Sequence, residues 1–107
     1  MPNAQNLQDL DNQFHKAMLD VYRNALNICK QNHHYFSRMV SEHGGVQAAK
    51  RLLDSPLQSG FTDLWECGCL NLTMENLVLQ PQFSVLFTEE EKQIARQRLQ
   101  EHGYNFK

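Results

Sequence analysis

One apolar stripe, repeating at helical spacing from Leu7 to Lys30, constrains this chain more than any other feature. After Leu7, apolar residues fall at Leu10, Phe14, Ala17, Met18, Val21, Tyr22, Ala25, Ile28 and Cys29. At about 100° per residue these positions share one helix face. Leu7 to Lys30 is therefore expected to form one long amphipathic helix, with Asn6 as its N-cap. Leu19 and Leu26 stand off the stripe, at about +140° and +120° from Phe14, and need a second neighbour. Two neighbours compete for them: a C-terminal helix through Ile94, Ala95 and Leu99, or a second copy of the chain meeting the same patch across a two-fold axis.

The remaining chain also divides into helices. Asn32 is placed to cap His33–Glu42, which turns Phe36, Met39 and Val40 inward. The Gly44-Gly45 pair breaks that element. Val46–Leu53 restarts, burying Val46, Ala49, Leu52 and Leu53, and Asp54-Ser55-Pro56 ends it. Phe61–Cys67 reads as a two-turn helix with Ser59 as its cap and Gly68 as its stop. Thr73 caps Met74–Leu79, and Leu72 and Leu77 hold the positions of a hydrophobic staple. Pro81 closes this helix, and Gln82–Phe87 is a turn anchored by Phe83, Leu86 and Phe87. Thr88 and Glu91 form a T-x-x-E capping box, with Glu89 and Glu90 beside the positive end of the helix dipole. That last helix runs to His102 and stops at Gly103. No segment alternates as a strand does. The expectation is an all-α, single-domain bundle of five or six helices spanning 1–107, with 1–6 flexible and 105–107 frayed.

Composition narrows the function classes. A chain of 107 residues with 41% hydrophobic and 21% charged residues can bury enough apolar surface to offset chain entropy, which excludes disorder. A net charge of −2 disfavours a general polyanion binder. No apolar run approaches the ~20 residues of a membrane span. The start, MPNAQNLQDLDNQ, has neither the basic region nor the apolar core of a secretory leader. Cys29, Cys67 and Cys69 are too few and too oddly spaced for a disulfide scaffold. A cytoplasmic protein in a reducing compartment is expected.

From Phe14 onward the segments FHKAMLDVYRNA, GGVQAAKRLL, GFTDLWECGCLNLTMENLVL and LFTEEEKQIARQRLQEHGY resemble a widespread family of small helical bacterial proteins, sometimes appended to larger ones. The shared pattern is the glycine pair, GF-x-x-LW, L-x-LT-x-E and LFT-x-x-E, and it covers most of the chain. The resemblance implies a bacterial helical domain and brings no catalytic or ligand-binding residues with it. The sequence departs from the family at Gln31-Asn32-His33-His34, where relatives tend to carry a Tyr-Asn-Pro-Thr-like turn. It departs again at Cys67 and Cys69, where relatives carry an aliphatic and a basic residue. These histidines and cysteines read as local variation.

Cys67, Cys69, His33 and His34 offer four soft ligands, but C-x-C is tighter than zinc knuckles use and adjacent helical histidines diverge by about 100°. No metal or other cofactor is expected. A cysteine nucleophile needs a base or a helix N-terminus. Cys29 lies on the apolar stripe as inert core, and Cys67 lies at a helix C-terminus, so no catalytic residue is assigned. Ala48–Leu53 followed by Gly60–Trp65 has the outline of a helix-turn-helix, but the second helix carries Asp63 and Glu66 and no Lys or Arg, which base and phosphate contacts favour. Lys92, Arg96 and Arg98 read as a solvated face. Trp65 and Phe83 are assigned to the core.

The reading is a non-enzymatic protein-interaction module that binds another protein or itself. Leu19, Tyr22, Leu26, Tyr104 and Phe106 are its candidate interface residues. The alternative is a nucleic-acid-associated factor placing Lys30, Arg38, Lys50 and Arg51 on phosphates. A third is a mobile-element or phage protein that covers the basic groove of a host nucleoprotein. No membrane and no small-molecule substrate are expected as partners.

Overall fold

The apolar stripe forms the long helix it implies. In the computed structural model, which describes residues 4–30, 34–57 and 59–104, α1 runs over Ala4–Cys29. Its 26 residues span about 39 Å, close to the 40 Å long axis of the molecule. Both ends of the stripe therefore outrun the core, and Leu7 and Ile28 are exposed. Asn6 lies within α1 and not at its cap position. At the other end Lys30 takes a positive φ of 59°, and its ammonium donates to the Asn27 carbonyl at 2.9 Å, a common way to end a helix.

The helices that follow wrap this rod: α2 (His34–His43), α3 (Gly45–Leu53), α4 (Ser59–Glu66), α5 (Met74–Val78) and α6 (Glu89–Glu101). Two 3-10 segments, Leu70–Leu72 and Pro81–Leu86, interleave with them. The fold is all-helical among the described residues, as expected. The helical segments among the described residues exceed the five or six expected, because helical periodicity gives Gln82–Phe87 as a turn and assigns no element to Leu70–Leu72. The caps proposed at Asn32 and the start at His33 lie outside the described residues, as do 1–3 and 105–107. Ser59 lies inside α4 and not at its cap position.

Helix ends follow local chemistry closely. The Thr88 hydroxyl accepts from the Glu91 N–H at 3.1 Å, while the Glu91 carboxylate accepts from the Thr88 N–H at 2.9 Å, so the capping box is formed. Thr73 caps α5 by accepting from the Asn76 N–H at 3.2 Å, and its own hydroxyl donates to the Leu70 carbonyl at 2.7 Å. After α4, Gly68 N–H bonds to the Trp65 carbonyl and Cys69 N–H to that of Leu64. After α6, Gly103 and Tyr104 repeat the pattern on Gln100 and Leu99. Both ends are Schellman caps, and Tyr104 packs on the Phe61, Leu70 and Leu99 cluster, the apolar contact that accompanies the motif.

Phe14 sits at the centre of the main core, with the rings of Phe83 and Phe87 both edge-on at 5.1 Å. Met18, Val40, Ala49, Leu52 and Val78 close around it. At the α1–α3 crossing the backbones nearly touch: a Cβ on Gly45 would lie 2.5 Å from the His15 Cα. His15 Nδ1 there accepts the Gly45 N–H at 3.0 Å, which satisfies one of the orphan donors at the start of α3. The preceding Gly44 has φ 83°, so the glycine pair divides two tasks, a turn and a close approach.

Four assignments change with the tertiary structure. Trp65 is 43% exposed, edge-on to the His102 ring at 4.9 Å, because α4 turns Phe61 and Leu64 inward instead. Arg98 and Lys92 are not on a solvated face: their side chains are 13% and 15% exposed, Arg98 meets Glu75 at 2.9 Å and Lys92 donates to the Ser84 hydroxyl at 2.9 Å. Leu19 packs against the main core within the monomer, so it does not need a second chain. Cys29 is not inert core and the cysteines are not unpaired, since Cys29 and Cys67 form a disulfide across 38 residues of chain.

Candidate functional site

The middle of α1 and the Leu70–Gln82 region leave a groove of about 340 Å³ between them. On the α1 side, Ala17, Asp20, Val21 and Asn24 line it, positions three and four apart that share one helix face. On the facing side Leu72 and Leu77 supply apolar floor, and Asn71, Asn76, Gln80 and Gln82 supply amides. The lining contains no histidine, cysteine, lysine or arginine. Asp20 is its one acid, and it pairs at 3.2 Å with the exposed Arg23. Asn and Gln each present a donor and an acceptor together. The groove therefore matches neutral groups that also carry both.

Its far wall is held rigidly. The Thr73 cap fixes the start of α5, and Asn76 Nδ2 donates to the Asn71 carbonyl at 2.9 Å. Gln80 Nε2 donates to the Asn76 carbonyl at 3.3 Å. Behind α5, Glu75 is buried against Arg98. The Arg98 guanidinium also donates to the carbonyls of Leu52, Leu53 and Ser55, the last at 2.6 Å. One arginine thus satisfies the open end of α3, neutralises a buried carboxylate on α5 and anchors α6. Burial pushes the Glu75 carboxyl above its ordinary value, against the opposing hydrogen bond and charge of Arg98.

The residues singled out from sequence are dispersed. Leu19 is in the core and Leu26 is 38% exposed on α1. Tyr22 is half-buried and engaged. Tyr104 is packed in the cap of α6, and Phe106 lies outside the described residues. Among the cations, Lys30 caps α1, while Arg38 and Arg51 are exposed on α2 and α3. Lys50 is committed to Glu91 at 2.8 Å and lies over the Phe87 ring at 5.2 Å. The pair matters to α6, because Glu91 also closes its capping box. Partial burial pushes the Glu91 carboxyl up, and the hydrogen bonds from Lys50 and Thr88 outweigh this and hold it below the ordinary value.

His34 is exposed on α2, His33 is outside the described residues, and Cys69 is the free thiol. Among the described residues no group of three or more His, Cys, Asp or Glu side chains converges as a metal site. Among the described residues no helix is long and apolar enough to cross a membrane. The groove itself was not foreseen. Its one signal in the sequence is the density of Asn and Gln between Asn71 and Gln82, and periodicity does not weigh that feature. Comparison of the chain with known protein families, curated proteins and solved structures found no match.

Proposed function

We propose that this is a non-enzymatic bacterial interaction module that binds a protein partner in the cytoplasm, and that the groove between α1 and α5 receives it. The observation that carries this reading is the lining: amides over an apolar floor, on a wall fixed by a cap and a buried ion pair. Peptide groups offer a donor and an acceptor at each residue, which is what Asn24, Asn71 and Gln82 can meet. A groove of this size is at the small end of ligand sites and suits a short stretch of chain.

The test is affinity capture from a native bacterial lysate, read by mass spectrometry, with wild type beside Val21→Arg and Asn24→Arg. Both positions are only half-buried, so the variants are expected to keep the wild-type circular dichroism and unfolding midpoint. A partner captured by wild type and lost by both supports the groove. Equal capture by all three removes it. The nucleic-acid alternative has less support, because Lys50 is already paired. It predicts binding to a labelled oligonucleotide that weakens steeply with salt.

A further inference from the structure

The short helix α4 has eight residues and buries only Phe61 and Leu64 deeply among its described side chains, while Trp65 and Glu66 are exposed. Besides its packing against α1, it carries a covalent link to that helix. Cys29 ends α1, Cys67 follows α4, and their Cα atoms are 6.2 Å apart, within the span a disulfide bridges. The two cysteines differ in exposure. Cys67 is exposed and Cys29 half-buried, with the Cys29 sulfur 3.7 Å from the Asp63 carbonyl oxygen. Cys69 is a free thiol, and its sulfur lies 3.5 Å from the Cys67 carbonyl oxygen.

We propose that Cys29–Cys67 is a reversible thiol–disulfide exchange site, opened by thiol attack on the sulfur of the exposed residue Cys67, and that its opening frees α4 from α1. The co-reactant class is a low-molecular-weight thiol and its disulfide, glutathione being the probe. A thiolate bonds to Cys67 Sγ, the Cys29–Cys67 bond breaks, and Cys29 leaves as a thiolate. Cys29, half-buried at the end of α1, then takes a proton from solvent. A second thiolate then attacks the sulfur of the bound thiol and forms the external disulfide. Cys67 is released and takes a proton. Two external thiols are oxidised, one protein disulfide is reduced, and the reverse sequence closes the link. Exposure of Cys67 directs entry to this side, because access selects which sulfur is attacked.

The test uses the full chain poised in glutathione buffers from fully oxidised to fully reduced. Acid quenching, maleimide blocking and peptide mapping read the thiols, and hydrogen exchange reads each helix. At the oxidising end Cys69 alone is expected to carry a maleimide or a glutathione mixed disulfide, with a Cys29–Cys67 cross-linked peptide. At the reducing end all three cysteines react, and the change reverses. Amides of α4 are expected to exchange at least tenfold faster when reduced, while α3 and α6 keep their protection. Cys69→Ser should behave as wild type, and Cys29→Ser should show fast α4 exchange in every buffer. Three reactive thiols under oxidising conditions, a Cys67–Cys69 link in place of the expected one, or a link that excess reduced glutathione fails to open would each overturn the exchange site. Equal α4 exchange in both states of wild type, a comparison that needs no variant to fold, would overturn the release of α4.

Discussion

Replacing Gly45 with alanine is expected to destabilise the protein by about 2–3 kcal/mol, against the helix-propensity ranking. The added Cβ would lie 2.5 Å from the His15 Cα and 3.0 Å from its nitrogen, whereas ordinary contacts begin near 3.4 Å. Those atoms are backbone, so no rotamer change relieves the clash, and α1 and α3 must part by about 1 Å to restore an ordinary contact. Overpacking of this kind costs roughly 1–3 kcal/mol. Parting the helices also breaks the 3.0 Å bond from the Gly45 N–H to His15 Nδ1, worth about 0.5–1.5 kcal/mol. Alanine returns at most about 1 kcal/mol through propensity. Urea unfolding monitored by circular dichroism measures the balance, with an unchanged slope showing that the midpoint shift is one of stability. A cycle with His15→Ala should show coupling of about 0.5–1.5 kcal/mol, because the bond can be lost only once. A neutral or stabilising Gly45→Ala would show that the two backbones do not meet as described.

Thr88→Ala should cost about 1 kcal/mol by removing the α6 cap, and Leu52→Ala about 2–5 kcal/mol by opening the core; a denaturant series with the reverse order would contradict the placement of the core. Arg98→Met should cost about 3–5 kcal/mol, since it leaves Glu75 buried without its partner, and adding Glu75→Gln should recover part of the loss. Glu75 titrates above an unfolded glutamate because of burial. The folded state therefore holds that proton longer, and stability from this group is lost as pH rises from the ordinary glutamate range through the raised folded value. Glu75→Gln should flatten that part of the pH–stability curve. Glu91 has the opposite sign: its lowered folded value gives stability that is lost as pH falls below the glutamate range, and Lys50→Met should weaken this. Leu19→Glu should unfold or strongly destabilise the monomer, while Leu26→Glu should stay within about 0.5 kcal/mol of wild type. Sedimentation showing a dimeric parent that Leu26→Glu alone makes monomeric would restore the second-copy explanation.

What the sequence by itself determined is everything that works over one or two helical turns. The stripe from Leu7 to Cys29 sets α1 because a period near 3.6 buries one face only if the backbone is helical. Thr73, Thr88 with Glu91, and the glycines after α4 and α6 mark ends because each cap satisfies its own chain's orphan groups a few residues away. Each of these marks holds in the structure. Asn6 and Ser59 lie inside their helices and not before them, although Asn and Ser are as suited to an N-cap as Thr. The tertiary structure decided what the partners of individual side chains are. Arg96 and Arg98 look alike on the chain, yet Arg98 reaches Glu75, 23 residues away, and carbonyls 43 to 46 away. Cys29 meets Cys67 only because α4 crosses the end of α1, and the amides from Asn71 to Gln82 become a groove wall only opposite Asp20 and Asn24. Local hydrogen bonding is set by spacing along the chain, and spacing is written in the sequence. Burial, charge pairing and sulfur contact depend on which helices pack together, and that is the outcome of the whole chain competing for one core.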